Sequence, residues 1–266
     1  MFGRTFYHGT VRKYVIVFGN MFNGIYVQRF NSSNERVQTL KVPIAYGPKE
    51  KFLVRLAQDP NLDQDVAVSL PRLGFEMTGM NYAANRKLPS TLRHTKVDSS
   101  DLNKLKSQYA PVPYDINFTL SAFVKNADDG TQILEQILPY FQPEWTNNVR
   151  LIPEMDLVYD VPCVLNDVSL EDTYEGDFAA RRALIWNLTF TMKGYIFGPI
   201  STTGTIRRNI INLFNNTTAT TGLESINQQP ALTAEGDPTS NTALSVPVDE
   251  IRVDDDYGIA TDISDL

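Results

Sequence analysis

The chain has 266 residues and a formal charge of −7, which is unevenly distributed. Residues 217–266 contain ten acidic side chains and one arginine, so this segment carries −9 and residues 1–216 carry +2. Two histidines and one cysteine are too few for a Cys/His zinc site, and a single cysteine forms no internal disulfide. A near-neutral body also lacks the basic stripe of a general nucleic-acid binder.

An apolar segment near the N-terminus, residues 15–22, has about the length of a signal-peptide core but is far too short to span a membrane. Arg12 and Lys13 precede it, but Asn20 interrupts it and no small-residue cleavage site follows. A membrane-spanning helix needs about 20 apolar residues. We therefore expect no membrane association, and assembly in the cytoplasm of the cell that makes the protein.

The first 82 residues are predicted to form two helices, a hairpin and a strand. Apolar residues recur at helical spacing over residues 7–22 and again over 49–58. Residues 25–30 and 36–44 are separated by four turn-forming residues, which predicts a β-hairpin. Residues 70–82 alternate between apolar and polar side chains, so we predict a half-buried strand.

Residues 83–111 lose this periodicity and are predicted to form an irregular, mildly basic excursion from the body. Their basic side chains include Arg86, Lys87 and Arg93. A connection of this length inside a compact domain is usually functional or mobile. We therefore treat these three residues as candidate partner contacts, and a solvated loop is the alternative.

The second half of the body contains the clearest strands. Residues 116–124 and 182–195 alternate over most of their length, and residues 157–170 form a further strand region. A helix with a continuous apolar stripe follows the first of these strands. Asp128 or Asp129 is predicted to cap that helix.

Together these elements predict an α+β fold with a mixed, largely antiparallel sheet flanked by helices. Alternating strands have one covered and one solvated face, whereas a doubly wound parallel sheet gives continuous apolar strands. Residues 203–214 add a last strand or a short helix, and the pattern does not decide between them. We place this body at residues 1–216, with the irregular excursion at 83–111.

Residues 217–266 differ from the body in composition. They are acidic, rich in Thr, Ser, Asn and Gln, and contain one aromatic residue, Tyr257. Such a segment buries too little apolar surface to fold alone, so we predict an extended, low-complexity C-terminal tail that is ordered only by partners. Its candidate contact residues are Asp254, Asp255, Asp256 and Tyr257, whose spacing does not fit a calcium loop.

The sequence contains no recognisable catalytic or cofactor motif. G-x-S-x-G, Walker A and G-x-G-x-x-G patterns are absent, and we interpret His8 and His94 as structural or solvated. Cys163 lies in an apolar strand and is predicted to be a small buried side chain. We predict no catalytic site, no cofactor and no metal ion; the alternative is a carboxylate-based hydrolase that uses the acidic loop at residues 171–177.

The aromatic stretch at residues 140–145, which lies beside two prolines, is the first candidate for a contact surface. It contains Tyr140, Phe141 and Trp145. Aromatic side chains are enriched at protein–protein interfaces and often dominate their energetics. Packing beneath the sheet is the alternative, and the sequence is equally compatible with it.

Several sequence blocks are similar to one known family. They are Arg12-Lys13-Tyr14 with the helix and strand that follow, VPIAYGPKEKF at residues 42–52, and EQILPYFQP at residues 135–143. The arginine pair at 181–182, which leads into the strand of Trp186 and ends in Gly-Tyr, also fits. Over residues 2 to about 200 the chain resembles the tail sheath stabiliser (tail completion) family of T-even-type contractile-tailed bacteriophages.

This resemblance implies a structural protein without enzymatic activity and with a tail-terminator-like fold. Such proteins form a hexameric ring at the head-proximal end of the tail, which caps the tube terminator, holds the last sheath ring and offers a docking surface to the head. The implied partners are copies of the chain itself, the tail sheath protein, the tail tube terminator and the neck proteins. Genomic DNA would pass through the lumen without sequence-specific binding, and the implied location is the neck-proximal end of the virion tail.

The nearest alternative is a different ring at the same junction, either the tail tube terminator itself or a neck connector. Contact with the sheath or with the tube distinguishes these roles. The resemblance does not extend to the acidic tail, so the expectations for residues 217–266 depend on composition alone.

Overall fold

The computed structural model describes residues 5–31, 35–57, 70–173, 183–204, 206–218, 220 and 222–265. The chain divides into two compact units, Met1–Ser90 with Pro111–Phe197, and Thr91–Ala110 with Gly198–Leu266. In chain order the helices and strands are α1 (Thr10–Met21), β1 (Tyr26–Phe30), β2 (Arg36–Lys41), β3 (Ile44–Tyr46), α2 (Lys49–Ala57), β4 (Arg72–Tyr82), β5 (Arg93–Asp98), β6 (Asp101–Tyr109), β7 (Val112–Val124), α3 (Ala127–Ile137), β8 (Glu144–Ile152), β9 (Leu157–Thr173), β10 (Ala183–Ile196), β11 (Ser201–Gly204), β12 (Asn209–Leu213), β13 (Glu224–Ala231) and β14 (Gly258–Asp265).

The first unit is built on a six-stranded sheet with the order β3-β4-β7-β10-β9-β8. β3 runs parallel to β4, and the other neighbouring strands are antiparallel. The central ladder of β7 and β10 runs from the pair Val112 and Ile196 to the pair Val124 and Leu184. The structure is mostly β, and it is broadly compatible with the predicted α+β class.

An aromatic cluster joins α1 to the centre of this sheet. The buried ring of Phe18 stacks on Phe118 with centroids 4.4 Å apart, and it lies 5.4 Å from both Phe75 and Phe190. Phe22, just past the last turn of α1, lies 5.3 Å from Phe190. Because these partners come from β4, β7 and β10, one helix face packs across three strands.

The opposite face of the sheet has an apolar patch where α2 covers it. Phe52 of α2 packs against Phe123 and Ile185. Along the same face Ser121 donates a hydrogen bond to Asn187 at 2.8 Å. The uncovered part of this face is therefore polar, as the alternation of β7 and β10 predicts.

Side chains of α3 hold the β1–β2 hairpin in place. β1 pairs with β2 along one edge. Along the other edge the amide of Gln136 bonds both the N–H and the C=O of Tyr26, at 3.2 and 2.7 Å. The amide of Gln132 does the same for Gln28, at 2.8 and 3.0 Å. The helix thus satisfies a strand edge that would otherwise lack partners.

The predicted cap of α3 is wrong. Asn126 occupies the N-cap position and makes no side-chain cap hydrogen bond, while Asp128 and Asp129 lie in the first turn. Asp129 is buried and accepts a hydrogen bond from Arg29 of β1 at 3.0 Å. This aspartate therefore adds a third contact between α3 and the hairpin.

Tyr14 fixes α1 to the end of β10. Its hydroxyl accepts a hydrogen bond from the N–H of Tyr195 at 2.7 Å and donates one to the C=O of the same residue at 2.8 Å. A Cβ on Gly194 would lie 2.9 Å from the Tyr14 ring, so glycine gives this ring its space. Burial raises the pKa of Tyr14 to about 12.

The second unit contains two three-stranded sheets. β5 and β6 form a hairpin, to which β11 adds along β6. β13 lies between β12 and β14 in the other sheet, and all its pairings are antiparallel. The buried side chain of Gln108 donates to the carbonyl of Gly198 at 2.7 Å.

Two sequence-based expectations about the residues of this unit are wrong. Residues 83–111 are not irregular, because they contain β5 and β6, and residues 217–266 contain β13 and β14. Their strands carry mostly polar side chains, so hydrophobic periodicity does not reveal them; Lys106 and Asp98 of the hairpin, for example, form an ion pair at 3.1 Å. Within residues 203–214 the structure forms strand β12.

Replacing Tyr14 by Phe should lower the free energy of unfolding by about 1–3 kcal/mol, because the main chain of Tyr195 then loses its hydroxyl partner. Tyr7→Phe is the matched control, since Tyr7 is 84% exposed. Urea denaturation followed by tryptophan fluorescence measures both. Equal midpoints for the two variants would contradict the role of Tyr14.

Cys163 is fully buried, as predicted, and burial raises its pKa to about 12. The thiol is therefore protonated at pH 8, where thiolate is the reactive form. A thiol reagent should label the native protein at pH 8 far more slowly than the protein in urea. Rapid stoichiometric labelling of the native chain would contradict this burial.

Candidate interaction surfaces

The aromatic stretch at residues 140–145 is divided between the core and the surface. The ring of Phe141 lies 5.2 Å from Phe190 and 6.3 Å from Phe22, so it extends the core cluster. Tyr140 and Trp145 are 60% and 40% exposed, and their rings meet almost at right angles, 5.3 Å apart. Packing thus accounts for Phe141, whereas Tyr140 and Trp145 form an exposed aromatic pair.

A groove of about 930 Å³ lies beside this aromatic pair. The end of α1, the end of α3 and the outer strand β8 form its walls, with Met21 and Ile137 among the apolar lining residues. The indole N–H of Trp145 donates to Asn147 at 3.2 Å, which orients the ring. A groove bordered by exposed aromatic rings suits the insertion of an apolar side chain from a neighbouring protein.

The candidate Arg86 is bound within its own unit. Its guanidinium donates to the carboxylate of Asp115 at 2.7 Å and to the carbonyl of Tyr114 at 3.0 Å. The same group lies 5.2 Å from the centre of the Tyr195 ring. These contacts hold the turn after β4 against β7, so Arg86 has a structural role in the single chain.

The side chains of Lys87 and Arg93 are more exposed than that of Arg86. Lys87 is exposed and directly follows the 3₁₀ turn Ala84–Arg86. Arg93 begins β5 in the second unit, and its guanidinium lies 4.4 Å from the centre of the Tyr109 ring. Arg86 and Lys87 belong to the first unit and Arg93 to the second, so these three residues are divided between the two units.

The segment directly before β14 contains the candidates Asp254, Asp255, Asp256 and Tyr257. The carboxylate of Asp255 accepts a hydrogen bond from the main-chain N–H of Arg252 at 2.8 Å, which closes a turn. Asp254 and Asp256 are exposed, and Tyr257 is 40% exposed. In the described part of the chain, no group of three or more His, Cys, Asp or Glu side chains is arranged to hold a metal ion.

A further exposed surface, missed by the sequence analysis, lies on the sheet of β12, β13 and β14. Ile211 is opposite Ile226, which is opposite Ile263, and directly paired residues share a face. Ile259 lies on the same face at period two, and Ile259 and Ile263 are 63% and 66% exposed. We call this surface, which includes Leu213, the isoleucine face; the sequence contains little signal for it, because polar residues lie between Ile259 and Ile263.

The acidic loop proposed for the hydrolase alternative is described only at its beginning. Glu171 is exposed, forms an ion pair with Lys49 and accepts a hydrogen bond from Asn187 at 2.7 Å. Of the other acids of the cluster, Asp172 is paired with Leu184 in the sheet, whereas Glu175 and Asp177 lie outside the described residues. The carboxylate of Glu171 is therefore part of a polar network on the sheet face.

Exposed apolar surfaces of this kind are typical of proteins that assemble with other proteins. Among the helices described, none is long and apolar enough to cross a membrane. The family model of the T4-like virus Myoviridae tail sheath stabiliser matches residues 5–258, and the chain belongs to this family. The tail completion protein gp15 of Enterobacteria phage T4 is 31% identical over 225 residues, which cover 82% of this chain and 81% of that protein.

The protein is therefore a structural component of the phage virion tail, and the family resemblance is confirmed. The family match reaches residue 258, so it includes most of the acidic segment. This corrects the expectation that the similarity ends near residue 200. The family is not a known enzyme family.

Replacing both Tyr140 and Trp145 by Ser should weaken attachment of the protein to phage tails by at least about 30-fold, because truncating a single aromatic hot spot costs about 2 kcal/mol. Co-sedimentation with tails that lack the protein measures the effect. Tyr7→Ser is the control for removal of an exposed aromatic ring. Unchanged attachment with an unchanged melting temperature would assign the aromatic pair no role in tail binding.

Proposed function

We propose that the chain forms a hexameric ring at the head-proximal end of a contractile tail. There it holds the last ring of the sheath, covers the tube terminator and gives the neck proteins a docking surface. The observation that carries this proposal is membership of the tail sheath stabiliser family over residues 5–258. The partners are then copies of the chain, the tail sheath protein, the tail tube terminator and the neck proteins.

The exposed surfaces support assembly into a ring. A closed ring of identical chains needs two different surfaces on each copy, because head-to-tail contacts are heterologous. The β1–β2 hairpin and the isoleucine face belong to different units and differ in chemistry, and the aromatic pair is a further exposed surface. The acidic segment 217–266 would gain further order from partners, because the isoleucine face is exposed in the single chain.

The charge distribution supports passage of DNA without sequence-specific binding. Each lysine or arginine that contacts a phosphate adds affinity, so a lumen needs few free cations. Residues 1–216 carry +2 in total, and several basic side chains of the sheet are paired, such as Lys193 with Glu144 at 3.2 Å. We propose no catalytic role and no cofactor, and assembly in the host cytoplasm before the ring takes its neck-proximal place.

Mass photometry of the purified protein, alone and with tail tubes, tests the proposal. We expect particles of about six times the 29.9 kDa chain mass, because the ring closes after six copies. Monomers under both conditions would contradict the ring. Binding to isolated tubes but not to sheathed tails would favour the tube terminator or a neck connector.

A further inference from the structure

The isoleucine face is the uncovered side of a sheet whose other side is packed around Ala231 and Ala260. Ala231 and Ala260 on the packed side are fully buried, and a Cβ on Gly258 would lie 2.4 Å from the carbonyl of Thr239. The main chain at Thr239 therefore covers this part of the sheet, and Thr242 donates a hydrogen bond to Asp262 on the same side at 2.8 Å. On the uncovered side Ile259 and Ile263 remain more than half exposed. Ile211, Ile226 and Ile263 form a continuous apolar row across the three strands, and an exposed apolar patch of this kind marks a protein interaction site.

Two carboxylates lie at one end of the isoleucine face. Glu224 of β13 is directly opposite Asp265 of β14, and both are exposed. Like charges in a direct cross-strand pair destabilise a sheet. Among the described residues, neither carboxylate has a cationic side chain as partner, so a neighbouring protein with basic residues would relieve their repulsion.

The β1–β2 hairpin offers the complementary chemistry. Val27 is fully buried, so the opposite side of the hairpin faces outward, with Tyr26 45% and Val37 68% exposed. Lys41 is directly opposite Tyr26 on this outer side, and Arg36 lies at the other end of β2. Neither Arg36 nor Lys41 forms an ion pair with another described residue. The outer side of the hairpin is therefore apolar and basic.

We propose that the outer side of the β1–β2 hairpin of one copy docks on the isoleucine face of the next copy. Apolar surface meets apolar surface, while Arg36 and Lys41 approach Glu224 and Asp265. A symmetric contact of two isoleucine faces would instead leave these carboxylates without basic partners, because the face contains no lysine or arginine. The contact is therefore head-to-tail, as a closed ring requires, and this inference rests on the proposed ring.

Two charge-reversed variants test the contact. The hairpin variant carries Arg36→Glu and Lys41→Glu, and the sheet variant carries Glu224→Lys and Asp265→Lys. Each variant alone places like charges at every contact between copies. We therefore expect the protein concentration at which half of the chains are assembled to rise about tenfold or more. In an equimolar mixture an alternating ring of six has opposite charges at each junction, so assembly should return.

The control is a variant with Lys51→Glu and Lys125→Glu, which changes the charge as much as the hairpin variant does. Both lysines are exposed and lie outside the proposed contact. A second variant, Ile259→Ser with Ile263→Ser, removes apolar area without a change of charge and should also reduce assembly. Thermal melting of every variant shows whether the fold is retained.

Mass photometry distinguishes the outcomes. Assembly of either charge-reversed variant at the wild-type concentration would overturn the proposed contact while leaving the ring intact. Failure of the folded variants to assemble when mixed would overturn it as well. Loss of tail binding with an intact ring in the sheet variant would assign the isoleucine face to another tail protein. A monomeric wild-type chain, alone and on tails, would instead contradict the proposed function itself.

Discussion

The packing of α1 on the centre of the six-stranded sheet is the contact on which the first unit depends. Phe18 stacks on Phe118 and also meets Phe190, so one helical side chain connects adjacent strands of the central ladder. Buried aromatic rings provide more apolar area than any other side chains. Tyr14, one turn earlier, bonds to β10, and Phe141 joins the same cluster beside the aromatic pair. The position of that exposed pair therefore follows from the core.

The two units differ in the surfaces that they expose. The first has the aromatic pair beside a groove and a basic hairpin, and the second has an isoleucine face that ends in two carboxylates. A protein that contacts both identical copies and different neighbours needs surfaces of distinct chemistry, because similar surfaces would compete for one partner. The described part of the chain contains such distinct surfaces.

Sequence periodicity predicted the elements whose apolar side chains are buried on one side. The ladder of β7 and β10 and the helices α1 and α3 belong to this group. β8 escaped prediction because EWTNNVRLI hardly alternates, and β14 because the average composition of residues 217–266 hides an eight-residue strand. Composition also singled out Tyr140, Phe141 and Trp145 together, but only the fold shows that Phe141 meets the core.

The attachment of β1 to α3 has a consequence for how this protein can diverge. Gln132 and Gln136 form hydrogen bonds with main-chain N–H and C=O groups of β1, and these groups are present whatever side chains β1 carries. Outward-facing positions of the hairpin are therefore free to vary without loosening it. Across related phages the outward side chains of the hairpin could therefore change together with the surface that they contact. The two glutamines would be retained, because they hold the main chain of β1.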